Sequence, residues 1–174
     1  GMLTGPMRDR FGVICRLEMY SQEDLLTIIK RSAGILGVHI DEDAGIELAK
    51  RSRGTPRIAN RMIKRVRDFA QVLGDGTITL DITDKALSCI GVDELGLDEN
   101  DRAVLEALAV KFKGRPVGID TLAAATNEDA GTIEDVIEPY LIQLGFVART
   151  PRGRVAMPQA FEHLGLPVPE DPKA

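Results

Sequence analysis

The sequence is poor in the residues from which catalytic and metal sites are usually built. Its 174 residues include two cysteines, two histidines and no tryptophan, and aromatic residues make up only 4%. His39 and His163 stand alone, without the cysteine or histidine neighbours of a metal site, so no metal site is expected. Cys15 and Cys89 lie in apolar segments far apart, and we interpret them as reduced core thiols rather than a disulfide.

Further absences argue against whole classes of protein. No apolar run approaches the ~18 residues that a membrane-spanning helix needs, and no signal peptide is visible. The chain has no evident Ser, His and Asp constellation and no phosphate-cradling Gly-x-x-x-x-Gly-Lys-Ser/Thr motif. Hydrophobic content of 44% and charged content of 28% are ordinary for a globular protein. We therefore expect a cytoplasmic protein that does not, as this chain alone, hydrolyse a nucleotide.

The charges are distributed unevenly along the chain. The net charge of −5 argues against nucleic-acid binding, but residues 51–67 contain seven basic residues and no acidic one. A second basic group, Arg149, Arg152 and Arg154, lies near the C-terminus. Acidic residues concentrate at 41–43, 93–101 and 128–138. Such asymmetry says more about partners than the net charge does.

Hydrophobic periodicity predicts a helical module over residues 21–92. Helices are expected to start at Ser21, at Asp41 and at Asp81, with a third helix over 56–73 between the last two. Four amphipathic helices joined by short loops indicate a small helical bundle. The strand-like run 11–17 is too short for a sheet, so residues 1–20 are interpreted as the end of a larger α/β domain.

A glycine-containing acidic linker at 93–100 leads to a second predicted module, residues 101–168. Its expected order is a helix from Asp101, an extended 116–119, a helix from Asp120, a helix over 132–144 and a hairpin. Pro139 inside the last helix predicts a kink or a local compensation. This order is typical of a winged helix. The Pro-rich tail 169–174 is expected to be disordered.

Two features could hold phosphate. Thr55 and Pro56 are typical of a helix start, and Arg57 then places a cation at the helix's positive end, where an anion would stabilise it. The alternative is that Arg57 pairs with a carboxylate or lies in solvent. On the hairpin, Arg149, Arg152 and Arg154 fit contacts to a duplex backbone, unless they only blunt an exposed hairpin. Glu134, Asp135 and Glu138 make the preceding helix a poor reader of base sequence.

Six long motifs resemble the RuvB family of Holliday-junction branch-migration motors, which are AAA+ ATPases. They span nearly the whole chain and are residues 3–12, 53–61, 65–70, 132–136, 138–143 and 149–154. The resemblance implies a mainly α fold, with an AAA+ helical lid followed by a winged-helix domain with a β-hairpin wing. It also implies that the ATPase core with Walker A and B is absent from this chain, which would be a C-terminal fragment.

The resemblance assigns roles residue by residue. Arg57 is similar to the sensor-2 arginine that touches nucleotide phosphates, and Tyr20 and Pro56 resemble residues that line the nucleotide site. Arg10 resembles the arginine finger that reaches the neighbouring subunit's nucleotide. Arg149 and Arg154, with Arg152 close by, match the family's DNA-contacting hairpin. Where many relatives have a basic residue this chain has Ala130, so one phosphate contact is expected to be absent there, with Lys113 or Arg115 as replacement.

The resemblance further implies ATP and Mg²⁺ as cofactors of the full protein, a homo-hexamer, and Holliday-junction DNA, RuvA and RuvC as partners. Its setting would be homologous recombination, DNA repair and the SOS response in a bacterial cytoplasm. Two alternatives stay open at this point: a winged-helix DNA-binding protein without motor activity, and the lid and DNA-binding end of another AAA+ protein.

Overall fold

The computed structural model describes residues 19–170, which divide into two compact units, one ending at Gly96 and the other beginning at Leu97. Several sequence-based expectations fall outside these residues: the strand over 11–17, the finger residue Arg10, the thiol of Cys15 and the end of the tail at 171–174.

The first unit is a bundle of four α-helices. They are α1 (Gln22–Leu36), α2 (Glu42–Arg51), α3 (Pro56–Leu73) and α4 (Leu80–Cys89). Each helix turns an apolar face inward, and the fully buried residues include Leu25, Ile29, Leu48, Ile63 and Leu87. The predicted four-helix bundle is therefore confirmed, and α3 has the predicted bounds.

The predicted start of α2 at Asp41 is confirmed, whereas that of α4 at Asp81 is wrong in detail. Asp41 is the N-cap residue of α2, although its side chain accepts no capping hydrogen bond; the neighbouring Asp43 Oδ1 accepts from the Ala44 backbone N–H at 2.8 Å. Helix α4 begins at Leu80 rather than Asp81, because Thr79 is the N-cap and its Oγ1 accepts from the Ile82 N–H at 3.2 Å.

The loop before α4 pairs with the loop before α2 through a parallel bridge between Ile78 and Ile40. Ile78, which is completely buried, donates its backbone N–H to His39 O and accepts from the Asp41 N–H, both at 2.9 Å. In the same loop the Thr77 backbone N–H donates to Asp75 Oδ1 at 3.0 Å. This bond favours the carboxylate and lowers the pKa of Asp75.

The second unit has the predicted order of helices followed by a hairpin. Its elements are α5 (Glu99–Glu106), a π-helical turn (Ala107–Lys111), α6 (Ile119–Thr126), α7 (Ala130–Thr132), a second π-helical turn (Ile133–Ile137), α8 (Glu138–Gln143), β1 (Val147–Thr150), β2 (Gly153–Ala156) and α9 (Pro158–His163). Strands β1 and β2 form an antiparallel pair.

Helix α5 begins two residues before the predicted Asp101. Asp98 Oδ1 accepts from the Asp101 N–H at 2.9 Å, and Asp101 Oδ2 accepts from the Asp98 N–H at 2.8 Å. This reciprocal capping box satisfies two backbone donors at the helix start. Helix α6 likewise begins at Ile119, one residue before the predicted Asp120.

The local compensation predicted at Pro139 takes the form of a π-helical turn. The predicted helix over 132–144 consists of α7, the turn Ile133–Ile137 and α8, with Pro139 in the first turn of α8. Proline has no N–H to donate to the preceding helical turn, so a wider turn there costs little.

The core-thiol interpretation is wrong for Cys89, which is a free, exposed cysteine. The bundle still covers the end of α4, because Ile90 and Val92 are partly buried against the core. Cys89, the last residue of α4, is exposed although Leu87 and Ile90 near it in sequence are apolar.

Candidate functional site

A tight backbone break positions the start of α3. Arg53 and Gly54 both adopt left-handed backbone angles, with φ of 58° and 72°. Thr55 then becomes extended, and its Oγ1 accepts the Ile58 N–H at 3.3 Å, which leaves Pro56 as the first residue of α3. The predicted helix start at Thr55 and Pro56 is confirmed.

The break also brings Tyr20 to the same place, because the Tyr20 N–H donates to Gly54 O at 3.0 Å. Pro56 is half-buried, whereas Tyr20 and Arg57 are exposed. Within residues 19–170, the Arg57 side chain makes no hydrogen bond or ion pair. Arg57 therefore does not pair with a carboxylate in this part of the chain, which leaves a solvated arginine as the alternative to an anion site. The exposed cation and the helix's positive end are both available to a phosphate group.

The basic residues of segment 51–67 fall into two groups, one buried and ion-paired and one exposed. Arg51 is buried and structural: its Nε donates to Glu47 Oε1 at 2.8 Å and its Nη2 to Asp84 Oδ1 at 3.0 Å, which links α2 to α4. Arg61 and Arg65, by contrast, are exposed at successive turns beyond Arg57 and have no side-chain partner among residues 19–170. Only part of the sequence's basic cluster is thus available for binding.

The hairpin of the second unit is held in a fixed register. Arg149 lies opposite Arg154, and Thr150 lies opposite Gly153. Thr150 Oγ1 donates to Gly153 O at 2.8 Å across the turn. Val117, extended as predicted, donates to Arg154 O at 2.9 Å and accepts from the Arg154 N–H at 2.8 Å. The hairpin is therefore anchored to the chain between α5 and α6.

Two of the three hairpin arginines belong to an ion-pair group that we call the Glu138 cluster. Arg149 Nε donates to Glu138 Oε1, Arg154 Nε donates to Glu138 Oε2 at 2.9 Å, and Arg154 Nη2 donates to Glu134 Oε1 at 3.0 Å. The side chain of Glu138 is 2% exposed, that of Arg154 16% and that of Arg149 48%. The expectation of three arginines on an exposed tip is wrong for Arg154, because two carboxylates hold it against the π-helical turn and α8.

Arg152, at the turn itself, is exposed, and its side chain has no partner among residues 19–170.

The acids before the hairpin also differ from expectation. Glu138 points inward and is neutralised by arginines, so only Asp135 and part of Glu134 present negative charge to solvent. One signal in the sequence could have indicated this cluster. Glu134 and Glu138 are four residues apart, so they share one helix face, and Arg149 and Arg154 flank a short hairpin turn that places them opposite each other.

Residues 19–170 contain no group of three or more His, Cys, Asp or Glu side chains that could hold a metal ion. Every helix between residues 19 and 170 is too short or too polar to span a lipid bilayer.

Comparison with known families divides the chain in the same way as its fold. The RuvB AAA lid domain matches residues 20–93, and the RuvB C-terminal winged helix domain matches residues 94–165. The mainly helical fold, with a lid followed by a winged helix, is thereby confirmed.

Solved structures agree with these matches. The Thermotoga maritima RuvB Holliday junction branch migration motor is 46% identical, with a TM-score of 0.85 over 88% of this chain and 51% of that one. A mutant of the same protein gives a TM-score of 0.88 at 46% identity, over 96% of this chain and 56% of that one. The chain spans about half the length of these relatives, and it belongs to the RuvB family, of which it carries the lid and the C-terminal winged-helix domain.

Proposed function

We propose that this chain is the lid and DNA-binding part of an ATP-dependent Holliday-junction helicase. The observation that carries the proposal is that both units match RuvB-specific domains and a structure described as a branch migration motor. The full protein would act as a homo-hexamer with RuvA and RuvC in recombination and repair, in a bacterial cytoplasm. This chain alone would not hydrolyse ATP.

The start of α3 would contribute one side of the nucleotide site. Arg57 fits a phosphate because its guanidinium is exposed, has no partner among residues 19–170 and follows the capped start of a helix. Tyr20 and Pro56 would line the same site, since the Tyr20 backbone is hydrogen-bonded to Gly54. ATP with Mg²⁺ would supply the hydrolysis that drives movement, and the arginine finger Arg10 would act on a neighbouring subunit's nucleotide.

The hairpin of the second unit would contact duplex DNA. Arg152 is exposed at its turn, and Arg149 is half exposed beside it. Contacts from such arginines to phosphate position a protein on DNA without reading base sequence. Arg154 would act mainly through the Glu138 cluster, with its remaining exposed edge toward the DNA.

The direct test is the salt dependence of binding by this chain to a four-way junction and to a linear duplex of the same length. We expect log K to fall linearly with log salt for both, with a slope of about −0.9 for each phosphate contacted. A chain that binds neither DNA at low salt would contradict the proposed DNA-binding role. A mixed-sequence and an AT-rich duplex should bind equally, since no base contact is proposed.

A further inference from the structure

The segment from Lys111 to Pro116, which we call the basic loop, is a concentration of exposed positive charge apart from the hairpin. Its sequence, Lys-Phe-Lys-Gly-Arg-Pro, contains three cations and no acid. Lys111, Lys113 and Arg115 are exposed, and none makes an ion pair or a side-chain hydrogen bond within residues 19–170. With Phe112 and Pro116 they line a concavity of about 330 Å³.

The backbone of the basic loop is fixed in an uncommon conformation. Lys113 and Gly114 both have left-handed backbone angles, with φ of 54° and 75°. The Gly114 N–H donates to Leu108 O and the Arg115 N–H to Phe112 O, both at 2.9 Å. Asparagine or glycine would adopt the backbone of position 113 more readily than lysine. A lysine there places a cation where local backbone preference would select another residue, and such strained positions cluster at functional sites.

The basic loop continues directly into the strand pairing that anchors the hairpin. Val117, two residues after Arg115, is paired antiparallel with Arg154, which is itself two residues after Arg152. The bridge between Val117 and Arg154 thus ties the end of the basic loop to the strand that follows the hairpin turn.

The charges of the hairpin and the loop differ in availability. Arg149 and Arg154 are neutralised by the Glu138 cluster. The three cations of the basic loop have no carboxylate partner among residues 19–170, and Lys111 Nζ lies 6.0 Å from the centroid of the Phe112 ring. An anionic backbone with regularly spaced charges would therefore find more unneutralised positive charge at the loop than at the paired hairpin arginines.

We propose that Lys111, Lys113 and Arg115 form a second phosphate-contacting surface, which binds the backbone of duplex DNA together with Arg152. This inference rests on the proposed DNA-binding function and adds a site to it. Because all the contacts go to phosphates, the surface adds affinity and orients the winged helix without selecting a sequence.

The test is the salt slope of duplex binding by the whole chain carrying Lys111→Gln, Lys113→Asn and Arg115→Gln. Asparagine is chosen at position 113 because it tolerates a left-handed backbone. We expect the magnitude of the slope of log K against log salt to fall by about 2 to 3. Binding should weaken to a similar extent for every DNA sequence. The melting temperature of each variant, followed by circular dichroism, establishes that the second unit is folded.

A matched control removes the same amount of charge from the first unit, with Lys30→Gln, Lys50→Gln and Lys85→Gln. The control should keep the slope of the original chain. If the original chain binds no DNA, the proposed function itself fails. If it binds and the basic-loop variant keeps its slope, or if the control lowers the slope equally, the basic loop is not a phosphate surface while the DNA-binding role stands.

Discussion

At the scale of single residues, Glu138 is the most consequential side chain of the second unit. It is buried, and both of its oxygens accept from guanidinium groups. Removing one partner of a buried ion pair leaves charge uncompensated, which costs more than an exposed pair would contribute. The sequence alone presents Glu138 as one more acid on an acidic helix, and its role depends on chain that folds back from 11 and 16 residues away.

We therefore predict that Glu138→Gln lowers the free energy of unfolding of the second unit by about 2 to 3 kcal/mol. The measurement is urea denaturation followed by circular dichroism. Asp135→Asn is the matched control, because Asp135 is an exposed carboxylate on the π-helical turn just before Glu138 and its loss should change stability by less than about 0.5 kcal/mol. Equal effects of the two substitutions would show that the Glu138 cluster does not stabilise the unit.

Arg57 presents the opposite case, a residue whose loss should not harm the fold. Arg57→Ala removes an exposed cation from the positive end of α3, so the lid should become slightly more stable, by about 0.3 to 1 kcal/mol. In the full-length protein the same substitution should lower ATP turnover about 100-fold or more. Arg61→Ala, one turn further along, is the control for both measurements. Normal turnover in the Arg57 variant would leave Arg57 as a solvated arginine.

At the scale of elements, sequence patterns predicted those features that depend on neighbouring residues. The bounds of α3 follow from Thr55, Pro56 and the apolar stripe, and all of these signals are local. The starts of α4 and α5 were missed because Thr79 and Asp98 compete with a nearby aspartate for the same role, and only backbone geometry decides between them. The partial burial of Arg154 depends on ion pairs between distant segments, which periodicity does not describe.

The anchoring of the hairpin gives a prediction for one glycine. Gly153 has a φ of 135°, and a Cβ there would lie 2.5 Å from the backbone carbonyl carbon and oxygen of Val117. Gly153→Ala should therefore destabilise the second unit by more than about 2 kcal/mol, through both backbone strain and steric overlap. Gly118→Ser is the control, since position 118 has a φ of −68°, open space around it and an N-cap role that serine fills well. Thermal unfolding of the two variants should differ clearly, and similar melting temperatures would rule out a close approach of Val117 to the hairpin.

At the scale of the whole molecule, the chain consists of two units with separate cores. The core of the first unit lies between the helices of the bundle. The second unit has its own buried residues, which include Leu105, Leu108, Leu122, Ile133 and Leu141. Both units carry cations without side-chain partners among residues 19–170, at Arg57, Arg61 and Arg65 in the first and in the basic loop and Arg152 in the second. Charge alone therefore does not decide which unit binds DNA.

We assign DNA binding to the second unit, because its cations lie on a hairpin and a loop whose backbones are fixed by hydrogen bonds, whereas Arg57 is assigned to nucleotide. We predict that residues 97–174 expressed alone fold and bind duplex DNA with a salt slope within about 1 of that of the whole chain. Residues 1–96 should bind with a slope smaller by at least about 2. Circular dichroism of each piece comes first, since only a folded piece tests the assignment. A folded first unit that carries most of the slope would place the DNA contact on α3 and would require a different role for the hairpin.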